Sequence, residues 1–229
     1  MALALICYKL KIKKEGNIMG FDLTGLNPKI NAEYSEEYKD ILKSYGKDGW
    51  LDWSMDIPQD TKDRYFELQD KFRDDNPGDY FRNNVWWWRP LWSFVCNTCD
   101  DFLTDNDMNK GGSNSGERIS KTKAIKIGKR LSQKLADGTA DMVYRRYELA
   151  AARASVHNKL IEKEMDKISK ECKEKHGKDL VPADFPEPYY SQWKKTYDDK
   201  SWDDSYPFNK DNVENFAKFC LESGGFEIC

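Results

Sequence analysis

The sequence predicts a mainly α protein, an irregular helical domain with long aromatic-rich loops and room for a minor β element. Three observations carry that expectation. Apolar residues recur at three-and-four spacing over several stretches between residues 85 and 222, which is the period of one helical face. Proline and glycine clusters punctuate the chain between those stretches. Aromatic residues make up 14% of the 229 residues, and many fall in segments with no clear period.

Taken in order, residues 1–18 (MALALICYKLKIKKEGNI) start apolar and end basic. That order is the reverse of a secretory signal, and the apolar run is far shorter than the roughly 20 residues a membrane span needs. We read it as an N-terminal extension ahead of Met19, with an edge strand over 3–12 as the alternative, and 19–229 as one mainly helical domain. Residues 31–76 form a Tyr- and Trp-bearing stretch with charges throughout. Short helices are expected there at 35–44 and 60–73, broken by Gly46, Gly49 and Pro58.

Val85, Trp88, Trp92, Val95, Cys99 and Phe102 share one helical face, which predicts a helix up to Leu103. Pro90 is tolerated only near its start, which places that start at 87–89. The polar stretch TDNDMNKGGSNSGERIS predicts a loop, closed by Ser120 as a helix cap with Ile119 as hydrophobic staple. Ala124, Ile127, Gly128, Leu131 and Leu135 then form a buried stripe, with Lys123, Lys126, Arg130 and Lys134 on another side. Residues 139–175 carry Tyr147, Ala151, Ala154, Ile161, Met165, Ile168 and Cys172 at near-heptad spacing, as one long helix or a bent hairpin. Three prolines in VPADFPEPYY end it. Asp211 with Glu214 opens the last helix, whose inner face is Val213, Phe216, Ala217 and Cys220, and Gly224 and Gly225 stop it.

A formal net charge of -3 argues against general affinity for nucleic acid or an acidic membrane, so any contact with a polyanion is local. The six cysteines lack the density of a disulfide scaffold and are read as reduced thiols, with a cytoplasmic setting. Cys96 and Cys99 form a CxxC without a second ligand pair, and His157 and His176 lack ligand spacing, so buried thiols are expected and neither metal nor cofactor. GxSxG and HExxH are absent, which leaves enzyme evidence absent rather than negative: a binding protein is the favoured reading, with an enzyme of unknown type acting on the same class of ligand as an alternative.

The candidate site residues cluster in two places. Trp86, Trp87 and Trp88 are about 100° apart around a helix, so they cannot all face one core. Trp88 has the phase of Trp92 and goes inside. That leaves Trp86 or Trp87 either to pack on another element such as 31–75 or meet a partner, or to line a pocket and stack on a ligand beside Arg82 and Arg89. Asn83 and Asn84 either read a polar ligand edge or close the turn before the helix. The second place is the glycine-rich loop 109–116, with Asn114, Ser115 and Arg118, which reads either as a flexible connector ahead of a solvated helix face or as an anion cradle of amides ahead of a helix start. No acidic residue occurs from 118 to 134.

The blocks MGFDLTGLNP, NPGDYFRNNVWWWRPLW, NSGERISKTKAIKIGKRLSQKL and VENFAKFCLESGGFEIC resemble a family of small proteins found mostly in bacteriophages and sometimes in bacteria. YFRNNVWWWRPLW and ESGGFEI are its most specific signatures, and it brings no catalytic residue with it. The resemblance implies a phage-encoded accessory protein in the host cytoplasm, with 31–76, which lies between two of those blocks, as an insertion able to vary among relatives. The partners expected on that basis are a nucleotide-like small molecule, such as a host immune signal held without turnover, or alternatively a host defence protein, with no membrane. A homo-oligomer through the long helix is an open alternative.

Overall fold

The computed structural model describes residues 20–229, so the expectations placed on 1–19, the edge strand included, lie outside the described residues. The chain enters as a strand, β1 (Gly20–Gly25), in which Phe21 and Leu23 are buried and Asp22 and Thr24 turn to the opposite face. β4 (Tyr80–Asn84) pairs with it on one side and β6 (Gly225–Ile228) on the other, while β5 (Glu117–Ser120) pairs with the free edge of β6. The order β4-β1-β6-β5 is antiparallel throughout. Period-two alternation gives this sheet one apolar face of Phe21, Leu23, Phe81, Ile119, Phe226 and Ile228, and one polar face carrying Asp22, Arg82, Glu227 and Arg118.

Helices cover the apolar face. α3 (Val85–Thr98) contributes Trp88, Leu91, Trp92 and Val95 to the same core as Ala124, Ile127 and Leu131 of α5 (Lys121–Ala136) and Val213, Phe216 and Phe219 of α8 (Lys210–Glu222). The buried stripe expected on α5 is therefore present. Gly128 lets α5 and α8 approach closely: a Cβ there would lie 2.8 Å from the Ala217 carbonyl oxygen and 2.7 Å from Leu221 Cγ. Gly128→Ala is expected to destabilise by about 2 kcal/mol through overpacking, outweighing the roughly 1 kcal/mol an alanine gains in a helix. Urea unfolding measures it, and a variant more stable than the parent contradicts this packing.

A second, smaller core lies in 31–76. α1 (Glu36–Tyr45), a two-strand hairpin of β2 (Gly46–Lys47) and β3 (Trp50–Leu51), and α2 (Gln59–Asp75) enclose Tyr38, Leu51, Ile57, Tyr65 and Leu68. The fully buried Asn76 ties this unit down: its Oδ1 accepts from the Asn31 and Ala32 amides, and its Nδ2 donates to the Ala32 and Phe72 carbonyls.

Several expectations need correction. α3 starts at Val85, because Asn84 caps it, and the helix accommodates Pro90 one turn further in than expected. It stops at Thr98, short of Leu103. The polar loop contains a further helix, α4 (Asp105–Lys110), held by a reciprocal capping box between Thr104 and Asp107. Ser120 stands at the cap position of α5 without a side-chain bond. α6 (Thr139–His176) is a single unbroken helix, so the hairpin alternative falls. Beyond the prolines, α7 (Tyr189–Asp198) packs on its second half around Ile168, Cys172, Phe185 and Tyr189. Asn209, not Asp211, caps α8 by accepting from the Asn212 amide. No helix among the described residues is long and apolar enough to cross a membrane.

Candidate functional site

The tryptophan run diverges as helical geometry requires. Trp88 is fully buried, stacked between Phe21 at 5.2 Å and Trp92 at 5.3 Å, while Trp86 and Trp87 are half-buried. Trp86 packs its ring 4.9 Å from that of Tyr206. The buried indoles also hold the following loop: Trp88 Nε1 donates to the Gly111 carbonyl and Trp92 Nε1 to that of Met108, each at 2.8 Å. Asn84 is the α3 cap, and Asn83 Nδ2 donates to Asn212 Oδ1 at 2.9 Å.

Around Gly20 three of the expected residues meet. Asn84 is its strand partner, the Asn114 side-chain amide donates to its carbonyl, and the Arg82 guanidinium lies 3.6 Å from where a Cβ would stand. Arg82 also reaches Asp22 at 3.4 Å. The Asp22 carboxylate accepts from Tyr80, whose phenol is pushed up to about 12 by burial and by that bond. Arg118 lies apart from this group. It is held by Glu227 at 2.5 Å on β5, with two strands between it and Arg82, or roughly 14 Å at the usual strand spacing. Ser115 shares a hydroxyl bond with Ser113 at 2.9 Å. Arg89 is half-buried on α3, its Nε enclosed without a hydrogen-bond partner. In the glycine loop, the Gly112 amide donates to Asn109 and that of Gly116 to Ile228, so two of the amides read as an anion cradle are already used.

A depression of about 420 Å³ lies elsewhere, between the turn after α3 and one face of α5. Its walls are Asp101, Phe102, Lys126, Lys129, Arg130 and Gln133. Positions 126, 129, 130 and 133 share a helix face by their three-and-four spacing. Arg130 makes a bidentate pair with Asp101 at 2.8 and 2.9 Å and also donates to the Thr98 carbonyl, and this pairing holds the Asp101 carboxyl below its usual range. Arg130 and Lys126 each stand 5.5 Å from the centre of the Phe102 ring. Lys126 and Lys129 make no ion pair within 4 Å among the described residues, whereas Lys123 is tied to Asp107 and Lys134 to Asp137. Three cations thus face one carboxylate around a half-buried ring. The basic run was legible in the sequence. Phe102 and Asp101 were not, because only the turn at 99–104 brings them against α5.

A second depression, of about 240 Å³, is lined by Arg153, His157, Ser201 and Asp203 among others, and His157 is bonded there to the Asp199 carbonyl at 2.8 Å. The CxxC thiols are poor nucleophiles. Burial pushes Cys96 up to about 12 and Cys99 up to about 11, and Cys99 is fully enclosed. No family model, curated protein or solved structure matches the chain at a significant level.

Proposed function

We propose that the protein is a non-catalytic binder of a phosphate-bearing ligand of nucleotide size, and that the cleft on α5 is where the phosphate is held. The observation that carries this reading is the group of Lys126, Lys129 and Arg130 around Phe102, where the one carboxylate in the lining, Asp101, is already engaged by Arg130. Two ammonium groups without ion pairs supply the charge. The ring offers an apolar edge to a base or sugar, and the volume falls within the range of small-molecule sites. The cleft is lined by cations, an amide, a ring and one carboxylate that Arg130 already pairs, a lining suited to holding an anion rather than turning it over. The resemblance to phage proteins makes a host signalling nucleotide the favoured ligand and sequestration the favoured role.

Calorimetry of the full chain against linear and cyclic nucleotides and inorganic pyrophosphate tests the reading. Lys126→Glu and Lys129→Glu are each expected to weaken binding about tenfold, equivalent to about 1.4 kcal/mol, while Trp87→Ala leaves it unchanged. The reverse pattern moves the site to α3. Absence of heat with every member of the panel removes the proposal, and mass spectrometry of the recovered ligand distinguishes a holder, which returns it intact, from an enzyme.

A further inference from the structure

The small unit at 31–76 carries an aromatic surface that the ligand reading does not use. The turn between β2 and β3 is Asp48–Gly49, both at positive φ (53° and 85°), as a tight two-residue hairpin requires. That turn sets the alternation of β3, so Leu51 goes into the small core and Trp50 stands outside, 61% exposed. Trp53 follows at 63% exposed, and Met55 and Phe66 at 44% and 43%. Trp53 stacks on Phe66 with centroids 6.1 Å apart, which joins the hairpin side of the surface to α2.

These side chains are held on an ordered frame. The Asp52 amide donates to the Tyr45 carbonyl and the Met55 amide to that of Asp52, while the Asp52 carboxylate accepts from both the amide and the hydroxyl of Ser54. Aromatic anchors fixed in this way lose little entropy on association, and tryptophan and phenylalanine with methionine are the composition of an interface centre. The charge around them is mainly negative. Between Lys47 and Asp70 seven carboxylates stand against Lys47, which is the cross-strand partner of Trp50, Lys62 and Arg64, and Arg64 is bound to Glu37 and Glu67 at 2.7 and 3.0 Å. Phosphate-bearing partners, nucleic acid or an anionic lipid surface, are repelled by such a rim.

We propose that this surface docks a cationic protein segment, one that places an apolar side chain against Trp50, Trp53, Met55 and Phe66 and flanks it with lysine or arginine. The rim of Asp48, Asp56, Asp60 and Asp63 steers and selects the partner, and the aromatic centre holds it. This interaction is independent of the anion cleft on α5.

The test uses the full chain and three synthetic peptides: alternating Lys and Leu, oligolysine of the same charge, and alternating Glu and Leu. Calorimetry and tryptophan fluorescence are expected to show saturable binding of the Lys/Leu peptide alone. Binding weakens at least tenfold in Trp50→Ser/Trp53→Ser. It also weakens at least tenfold in Asp56→Lys/Asp60→Lys, which keeps the indoles and guards against a misfolded double serine variant. Equal binding of oligolysine, unchanged binding by either double variant, or self-association of the chain that disappears in the double serine variant each overturn the proposal.

Discussion

Trp88→Ala is expected to lower the unfolding free energy by about 4 kcal/mol, the largest effect of any single substitution in α3, since truncating a buried tryptophan typically costs about 3–5 kcal/mol. Trp88 has no exposed surface and touches Phe21 of β1, Trp92 of its own helix and Phe216 of α8, so its removal opens a void where sheet and two helices meet. A second loss adds to the first, because the Gly111 carbonyl loses the indole N–H that satisfies it. Trp88→Phe separates the two contributions. It keeps a ring in the stack but leaves that buried carbonyl unpaired, which costs about 1–3 kcal/mol. Denaturant midpoints for both variants give the answer, and an unchanged midpoint for Trp88→Phe removes the indole bond from the account of the fold.

The second large effect is expected at Asp107. This carboxylate is almost completely enclosed, yet it caps α4 by bonding the Thr104 amide and hydroxyl, and it receives Lys123 of α5 at 2.5 Å. Burial alone pushes its carboxyl up, but the hydrogen bonds from Lys123 and Thr104 outweigh that and hold it well below the usual carboxylate range. Asp107→Asn is expected to cost about 2–3 kcal/mol at neutral pH, because it removes a charge-assisted bond and leaves the Lys123 ammonium without its partner. The group titrates lower in the folded chain than in the unfolded one, where it behaves as an ordinary aspartate near 3.9. The stability it confers is therefore complete above about pH 4–5 and is lost as pH falls through the folded value. Parent and variant stabilities should converge on acidification, and a gap that stays constant down to pH 3 argues against an ionised Asp107.

The helical part of this fold was legible because its signal is local. The stripe Ala124, Ile127, Gly128, Leu131 repeats often enough along one helix to be read without knowing what it packs on. The sheet was reduced to a minor element for the opposite reason. β5 presents one buried residue, Ile119, and β1 only Phe21 and Leu23, too few for a period of two to stand out, while the partner of β1 in β6 lies about 200 residues away in sequence. α4 escaped notice because its capping signal, Thr104 with Asp107, uses aspartate where glutamate is usual. Among the site residues, the sorting of Trp88 from Trp86 and Trp87 followed from helical angles alone. The gathering of Arg82, Asn84 and Asn114 about Gly20, and the meeting of Phe102 with α5, depend on tertiary placement that no short window contains.

The position of β6 between β1 and β5 has a consequence for how the chain is made. At about 5–20 residues per second, a ribosome needs roughly 10–40 s to travel from β1 to β6. Throughout that interval the first strand has emerged with one hydrogen-bonding edge vacant, and the helices synthesised in between have no finished platform to settle on. Closure of the sheet is then a late, long-range event, and nascent chains stalled before residue 225 leave a β edge of the sheet unpaired.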